Sequence, residues 1–239
     1  MSGTDAFLAH IKEHPSNNGP RLAYADWLEE HGVCDRAELI RLHCAGQHQD
    51  RVTALIQKHG RSWAAEDLGI PASRIPEGAT CAFHRGFIFW PVTVDYSQPL
   101  EVMIAAGQYG YVNEHITAAN FPISGTGIVP SEIILVHFDR DISSDNAVAA
   151  LHWMGLEPAR LEHATAFGAT YQDVQRAYPI VFLGSYWVGS DGRRRVPCLD
   201  GWSDGRGLRL RWWDGDWGRF YRFAAVRPTS HMLRGAGKS

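Results

Sequence analysis

No stretch of the 239-residue chain approaches the roughly 18 apolar residues of a membrane span, so no membrane association is expected. Met1 to His10 lack a basic region followed by an apolar run, and no secretory signal is expected. Neither charge sign dominates. The net charge of −3 gives no general drive toward nucleic acid or an anionic membrane. Cysteine is sparse. Cys34, Cys44, Cys81 and Cys198 form no Cys-x-x-Cys pair, and reduced thiols in a cytoplasmic protein are the simpler reading. There is no Walker-type phosphate loop. Ser185, in Leu-Gly-Ser-Tyr-Trp, lies outside any Gly-x-Ser-x-Gly elbow, which removes the nucleophile of that hydrolase type. No low-complexity tether occurs.

What the chain does have is concentrated near its end. Pro179 to Arg227 contains four short runs of β-type residues separated by Gly, Asp and Ser, and holds Trp187, Trp202, Trp212, Trp213 and Trp217. Hydrophobic content of 45% and charged content of 21% are those of a globular protein, and the length suits one large or two small domains.

The first part reads as helices. Thr4 and Asp5 cap a helix carrying Phe7, Leu8 and Ile11, which stops before Pro15. A second runs from Pro20 to a Gly32 cap with Leu22, Ala23, Trp27 and Leu28. A third is expected from Asp35 to about Ala45, and a fourth from Gln49 to about His59. Trp63 to Glu77 reads as irregular, and Cys81 to Asp95 as one long strand or a strand pair. The run Pro20-Arg-Leu-Ala-Tyr-Ala-Asp-Trp-Leu-Glu-Glu-His-Gly32, with Phe7-Leu-Ala9 before it and Arg36-Ala-Glu-Leu-Ile-Arg-Leu42 after it, resembles the bacterial repeat-companion domain over residues 5 to 92. That resemblance implies a small helical module joined to varied partners, with no established activity. No leucine-rich period follows here. Arg21, Asp26, Glu29 and Glu30 are expected to form an ion-pair network within the helices. Cys44 and His48, with Cys34 and His43 nearby, could be set against a zinc ion, but no second well-spaced ligand pair exists, and no metal or other cofactor is expected.

The rest alternates differently. Leu100 to Ala106 reads as a short helix, and Gly107 to Gly127 as an ordered loop or short strands. Ser131 to Phe138 reads as a strand. Ser143-Ser-Asp145 caps a helix ending at Gly155, and helical stretches follow at Leu161–Phe167 and Gln172–Tyr178. His137, Asp139 and Asp141 are assigned cap and turn roles rather than metal ligation. Strand, two helices, then short strands with long Trp/Gly loops, ending in Tyr221-Arg-Phe-Ala-Ala-Val-Arg227, resembles the C-type lectin-like fold over residues 130 to 228. The expected fold class is α+β: a helical module with a short β segment over 1–95, a connecting segment over 96–129, the C-type lectin-like domain over 130–228, and a flexible tail over 229–239.

The resemblance places ligands at the loops between the late strands, where Trp202, Asp204, Arg206, Trp213, Asp214, Asp216 and Trp217 are the candidate binding residues. Trp and Arg are the residue types that anchor interfaces. A structural role for the Trp set, as core of a small domain, competes with this. Trp202-Ser-Asp204 lacks the Asn of a calcium-lectin motif, and no upstream ligand tripeptide exists. Enzymes that resemble this fold make formylglycine with a late cysteine pair, or join sulfur with iron held by histidines. Only Cys198 lies late in the domain, and the N-terminal helices lack a His-x3-His-x-Glu spacing. Retroelement-diversified members are expected to carry Asn on their variable face, and the late loops hold none. The expectation is a non-catalytic module that recognises a protein or other macromolecule through these late loops, another protein being favoured and nucleic acid not expected, with a metal-dependent oxidase-like enzyme on the same scaffold as the alternative.

Overall fold

The computed structural model describes residues 3–202 and 205–228. The expected flexible tail at 229–239, and the candidate ligand residue Asp204, lie outside the described residues. The chain forms two compact units, Met1–Ser73 with Cys81–Pro91, and Arg74–Thr80 with Val92–Ser239. Residues 96–129, expected as a connecting segment, therefore belong to the second unit. The class is α+β.

In the first unit the helices are α1 (Gly3–Glu13), α2 (Gly19–Glu30), α3 (Cys34–Ala45) and α4 (Gln49–Leu68). The fourth continues well past His59, where the sequence pattern suggested it would end. Val52, Leu55, Trp63 and Leu68 keep one face apolar and buried through the additional turns. Gly60, which costs up to about 1 kcal/mol in a helix, is offset by close contact with Ile56 and Phe83. Tyr24, Leu28, Ile40 and Phe87 share one core cluster, and Leu39, Val52, Leu55 and Trp63 another.

Under this core lies a closed ion pair. Arg36 donates from one Nη to both carboxylate oxygens of Asp67 at 2.9 Å. Its guanidinium is 5.1 Å from the Trp63 ring, 5.6 Å from Phe83 and 5.3 Å from Phe87. Both side chains of the pair are below a tenth exposed. The expected surface network has a different centre. Arg41 from α3 bridges Asp26 and Glu29, each at 2.7 Å, whereas Arg21 is fully buried and donates to the Asn17 carbonyl.

The chain continues with β1 (Ala79–Cys81) and β2 (Phe89–Asp95), so Cys81 to Asp95 is split into separate strands. The second unit then adds α5 (Leu100–Ala106), β3 (Tyr111–Val112), β4 (Ile128–Phe138), β5 (Ile142–Ser143), α6 (Ser144–Trp153), β6 (Glu157–Pro158), α7 (Leu161–Thr170), α8 (Val174–Ala177), β7 (Ile180–Val181), β8 (Trp187–Val188), β9 (Arg194–Gly201), β10 (Arg206–Trp212), β11 (Asp216–Trp217) and β12 (Arg222–Val226). Its sheet runs β4-β12-β7-β9-β10-β3, with β6 on β12 and β8 on β9. The sheet is mixed: β12–β7 and β10–β3 are parallel, and β4–β12 and β9–β10 are antiparallel. Ile133 to Val136 and Val196 to Asp200 are buried residue after residue, the mark of strands covered on both faces. α6 begins as its sequence suggests, with the Ser143 hydroxyl accepting from the Asn146 N–H at 3.3 Å. Among the described residues no helix is long and apolar enough to cross a membrane.

Candidate binding surface on the late strands

The β9–β10 ladder decides which side chains meet. Gly207 lies opposite Asp200, Arg209 opposite Cys198, Arg211 opposite Val196, and Trp212 opposite Arg195. Side chains alternate along a strand, so Asp200, Arg209 and Arg211 share one face while Arg195 and Trp212 share the other.

On the second face, β8 places Trp187 opposite Arg195 from the other side. Arg195 is therefore held between two tryptophans at one register, 5.2 Å from the Trp187 ring and 4.0 Å from Trp212. His115 stacks on Trp187 at 4.6 Å, and Arg193 lies 5.2 Å from the Trp212 ring. Asp191, in the turn between β8 and β9, receives both Nη groups of Arg195, at 3.0 and 2.7 Å. That contact holds the Asp191 carboxyl below the usual carboxylate range. Gly189 makes room for it, since a Cβ there would stand 1.9 Å from Arg195 Nη1.

On the first face, the Arg209 guanidinium lies against two rings, Tyr111 of β3 at 4.3 Å and Trp202 at 4.0 Å. Asp200, only 6% exposed, accepts from Arg209 Nε at 3.2 Å and from Arg211 Nη2 at 3.0 Å. Gly207 is again needed: an added Cβ would meet Asp200 Oδ1 at 3.0 Å and Arg209 Nε at 3.2 Å. Trp202 and Trp212 remain 43% and 45% exposed, and Tyr111 and Tyr186 are also exposed.

The structure divides the residues expected to bind ligand. Trp202 lies on this surface. Asp214 is exposed beside Arg194, at 3.8 Å, and Asp216 is exposed on β11. Trp213, Trp217 and Arg206 are buried, at 8%, 5% and 5%, and serve the fold. Trp213 follows the end of β10 and turns inward, where its Nε1–H donates to Asp145 at 3.1 Å. Trp217 Nε1–H donates to Ser144 Oγ at 2.8 Å, and that hydroxyl donates to the Trp213 carbonyl. These bonds fasten the β10–β12 connection to the first turn of α6. Arg206 donates to the Gly107 carbonyl at the end of α5 and to the Gly168 carbonyl in the last turn of α7, and it lies 5.2 Å from the Tyr109 ring. Two helix C-terminal ends, each carrying partial negative charge, take the place of a carboxylate.

The residues that sequence reasoning passed over are Arg195, Arg209, Arg211, Asp200, Tyr111 and Trp187. The Arg-Leu-Arg alternation on β10 signalled a charged face, but nothing local named Asp200 or Tyr111 as its neighbours.

Elsewhere, side chains with reactive chemistry are held in structural contacts. Ser185 Oγ accepts from the Leu161 N–H at 3.0 Å, and His163 Nδ1 accepts from the Arg160 N–H at 3.1 Å. Burial pushes His163 down to about 4 and raises the Glu162 carboxyl, which lies 2.9 Å from Arg160 Nε. His137 sits between Thr80 and the Arg219 carbonyl. All four cysteines are free, with burial raising Cys81 and Cys198 to about 12. Among the described residues no group of three or more His, Cys, Asp or Glu is placed to hold a metal ion. A cleft of about 180 Å³ lies by α5 and α7, and its one carboxylate, Asp95, is taken up by Ser97 and Gln98.

The sequence matches no protein-family model and no curated protein, and the fold matches no solved structure.

Proposed function

We propose that this chain is a non-catalytic recognition protein whose second unit engages a polypeptide partner through the aromatic–guanidinium face of β3, β9 and β10 that carries Tyr111, Trp202, Arg209 and Arg211. The observation that carries the reading is the preformed contact of Arg209 with Tyr111 and Trp202 on one face of the ladder; the Trp187–Arg195–Trp212 stack lies on the opposite face. Trp, Tyr and Arg dominate the energetics of protein interfaces, and long side chains already fixed lose little freedom on binding. A catalytic site would require titratable groups converging on a common point, whereas these guanidiniums converge on aromatic rings. Within this reading the first unit is a repeat-companion-like module and residues 130–228 a C-type lectin-like domain in a cytoplasmic protein. Antiparallel pairing of β4 with the last strand, β12, supports the latter.

The test is quantitative affinity capture from the source cells with wild type, Trp202→Ala and, as controls on the opposite face and on the first unit, Trp212→Ala and Arg41→Ala. The Trp202 variant is expected to lose a set of captured proteins at least tenfold, with unchanged thermal unfolding, while the two controls retain them. An identical set from all four proteins would overturn the reading.

A further inference from the structure

We propose that Asp200, Arg209 and Arg211 form a receptor for a carboxylate, and that the partner segment bound at this face is acidic. The inference rests on the recognition reading and names its chemistry. Two guanidiniums here share one carboxylate. Asp200 is buried and accepts one bond on each oxygen, from Arg209 at 3.2 Å and from Arg211 at 3.0 Å. Counted among the described residues, the trio carries one net positive charge at the surface, where the Arg209 and Arg211 side chains are 29% and 44% exposed.

The geometry is directional as well as charged. Tyr111 and Trp202 both lie against the Arg209 guanidinium, at 4.3 and 4.0 Å, while its side chain stays 29% exposed. Asp200 takes the Nε–H of Arg209 and one Nη2–H of Arg211, and the Arg211 side chain is 44% exposed. A planar edge of N–H donors matches the two oxygens of a carboxylate. The side-chain ordering is achieved in folding, so binding does not have to supply it.

The arrangement favours an acidic polypeptide over nucleic acid. The gap between Tyr111 and Trp202 is filled by Arg209, so no base can intercalate there. One unit of excess charge suits a single carboxylate better than a phosphate chain, and Asp191 and Asp214 stand on neighbouring turns of the same late-strand region. Among the described residues of the two strands, the other charge on this face of the ladder is Arg194, which is 4.3 Å from the Trp213 ring and beside Asp214.

The experiment follows the arginine Nε–Hε signals by NMR in the full chain. The probes are an acetylated, amidated octapeptide alternating Glu and Tyr, its Gln-for-Glu counterpart, inorganic phosphate, and an octameric oligothymidylate. Saturable shifts at Arg209 and Arg211 are expected with the Glu peptide, with affinity at least tenfold weaker for the Gln peptide and for Arg211→Gln. Arg209 still pairs Asp200 in that variant, and the wild-type comparison of Glu with Gln peptides needs no variant at all. Equal binding of the two peptides, no saturable shift, or tighter binding of phosphate or oligothymidylate would overturn the proposal. If the carboxylate proves dispensable while Trp202→Ala still abolishes partner capture, the acidic assignment fails and the recognition surface stands. If capture is indifferent to Trp202, the surface itself fails.

Discussion

Arg36 in the first unit and Arg209 in the second are built from the same three parts, a guanidinium, a carboxylate and aromatic rings, with opposite results. Arg36 has Trp63, Phe83 and Phe87 around it and Asp67 beside it, and is 5% exposed. Arg209 has Tyr111, Trp202 and Asp200, yet its side chain is 29% exposed. The contacts are alike; their surroundings differ. Around Arg36 the helices close on every side, so the charge is committed to holding the fold. Around Arg209 the stack ends at solvent, and donors remain for another molecule. An Arg–aromatic contact is thus no sign of function by itself. What matters is whether the cluster is enclosed.

The largest effect should come from opening the enclosed cluster. Arg36→Ala removes the guanidinium from the buried Asp67 carboxylate, which keeps the Ile88 N–H, and is expected to destabilise the first unit by about 3–5 kcal/mol. Urea unfolding followed in that unit checks this, and a loss below about 1 kcal/mol would erase the contrast with Arg209. Arg206→Leu comes next. Removing its donors strips partners from the Gly107 and Gly168 carbonyls, at a cost of about 2–3 kcal/mol, and partner capture at equal folded concentration should be unaffected.

The enclosed cluster should also respond to pH. His43 accepts from the Gly86 N–H through Nδ1, and burial, together with the Arg36 charge, pushes it down to about 4. Its folded value lies below the ordinary histidine value of about 6.5. Above that ordinary value both states are neutral and stability does not depend on this group. As pH falls from about 6.5 to about 4 the unfolded chain takes up the proton first, so stability drops by up to about 1.4 kcal/mol per pH unit, then levels. His43→Asn should flatten that slope; an unchanged slope would mean that His43 is not its source.

The open surface should give the smallest stability effects. Gly189→Ala, which places a Cβ against Arg195, should displace the Arg195–Asp191 pair and cost about 1 kcal/mol or less, as expected of an exposed pair. A larger loss on thermal unfolding would show that the Trp187–Arg195–Trp212 stack holds the fold in the way the Arg36 cluster does.

Much of the architecture was legible along the chain because it depends on neighbours in sequence. Apolar spacing marked α1 to α3, Ser143 marked the start of α6, a β-branched run marked β4, and the apolar Phe223 to Val226 marked β12. α4 was cut short because Gly60 and the polar residues near it resemble an ending, while Phe83, which lies close to Gly60, comes from a segment distant in sequence. The candidate surface was legible only as a region. Trp213, Trp217 and Arg206 carry the same composition signal as Trp202, and nothing within the late stretch reveals that Asp145, Ser144, Gly107 and Gly168 lie ready to receive them.

The sequence by itself determined the α+β class, most helix and strand positions, and the concentration of Trp, Arg and Asp in the late strands. These follow from periodicity, caps and turn residues, which act over a few positions. Only the tertiary structure decided which arginines are enclosed and which are presented. That choice depends on strand register and on the absence of a Cβ at Gly189 and Gly207, which bring Asp191 to Arg195 and Asp200 to Arg209. Register is set by the whole sheet, and exposure by what the rest of the unit leaves uncovered.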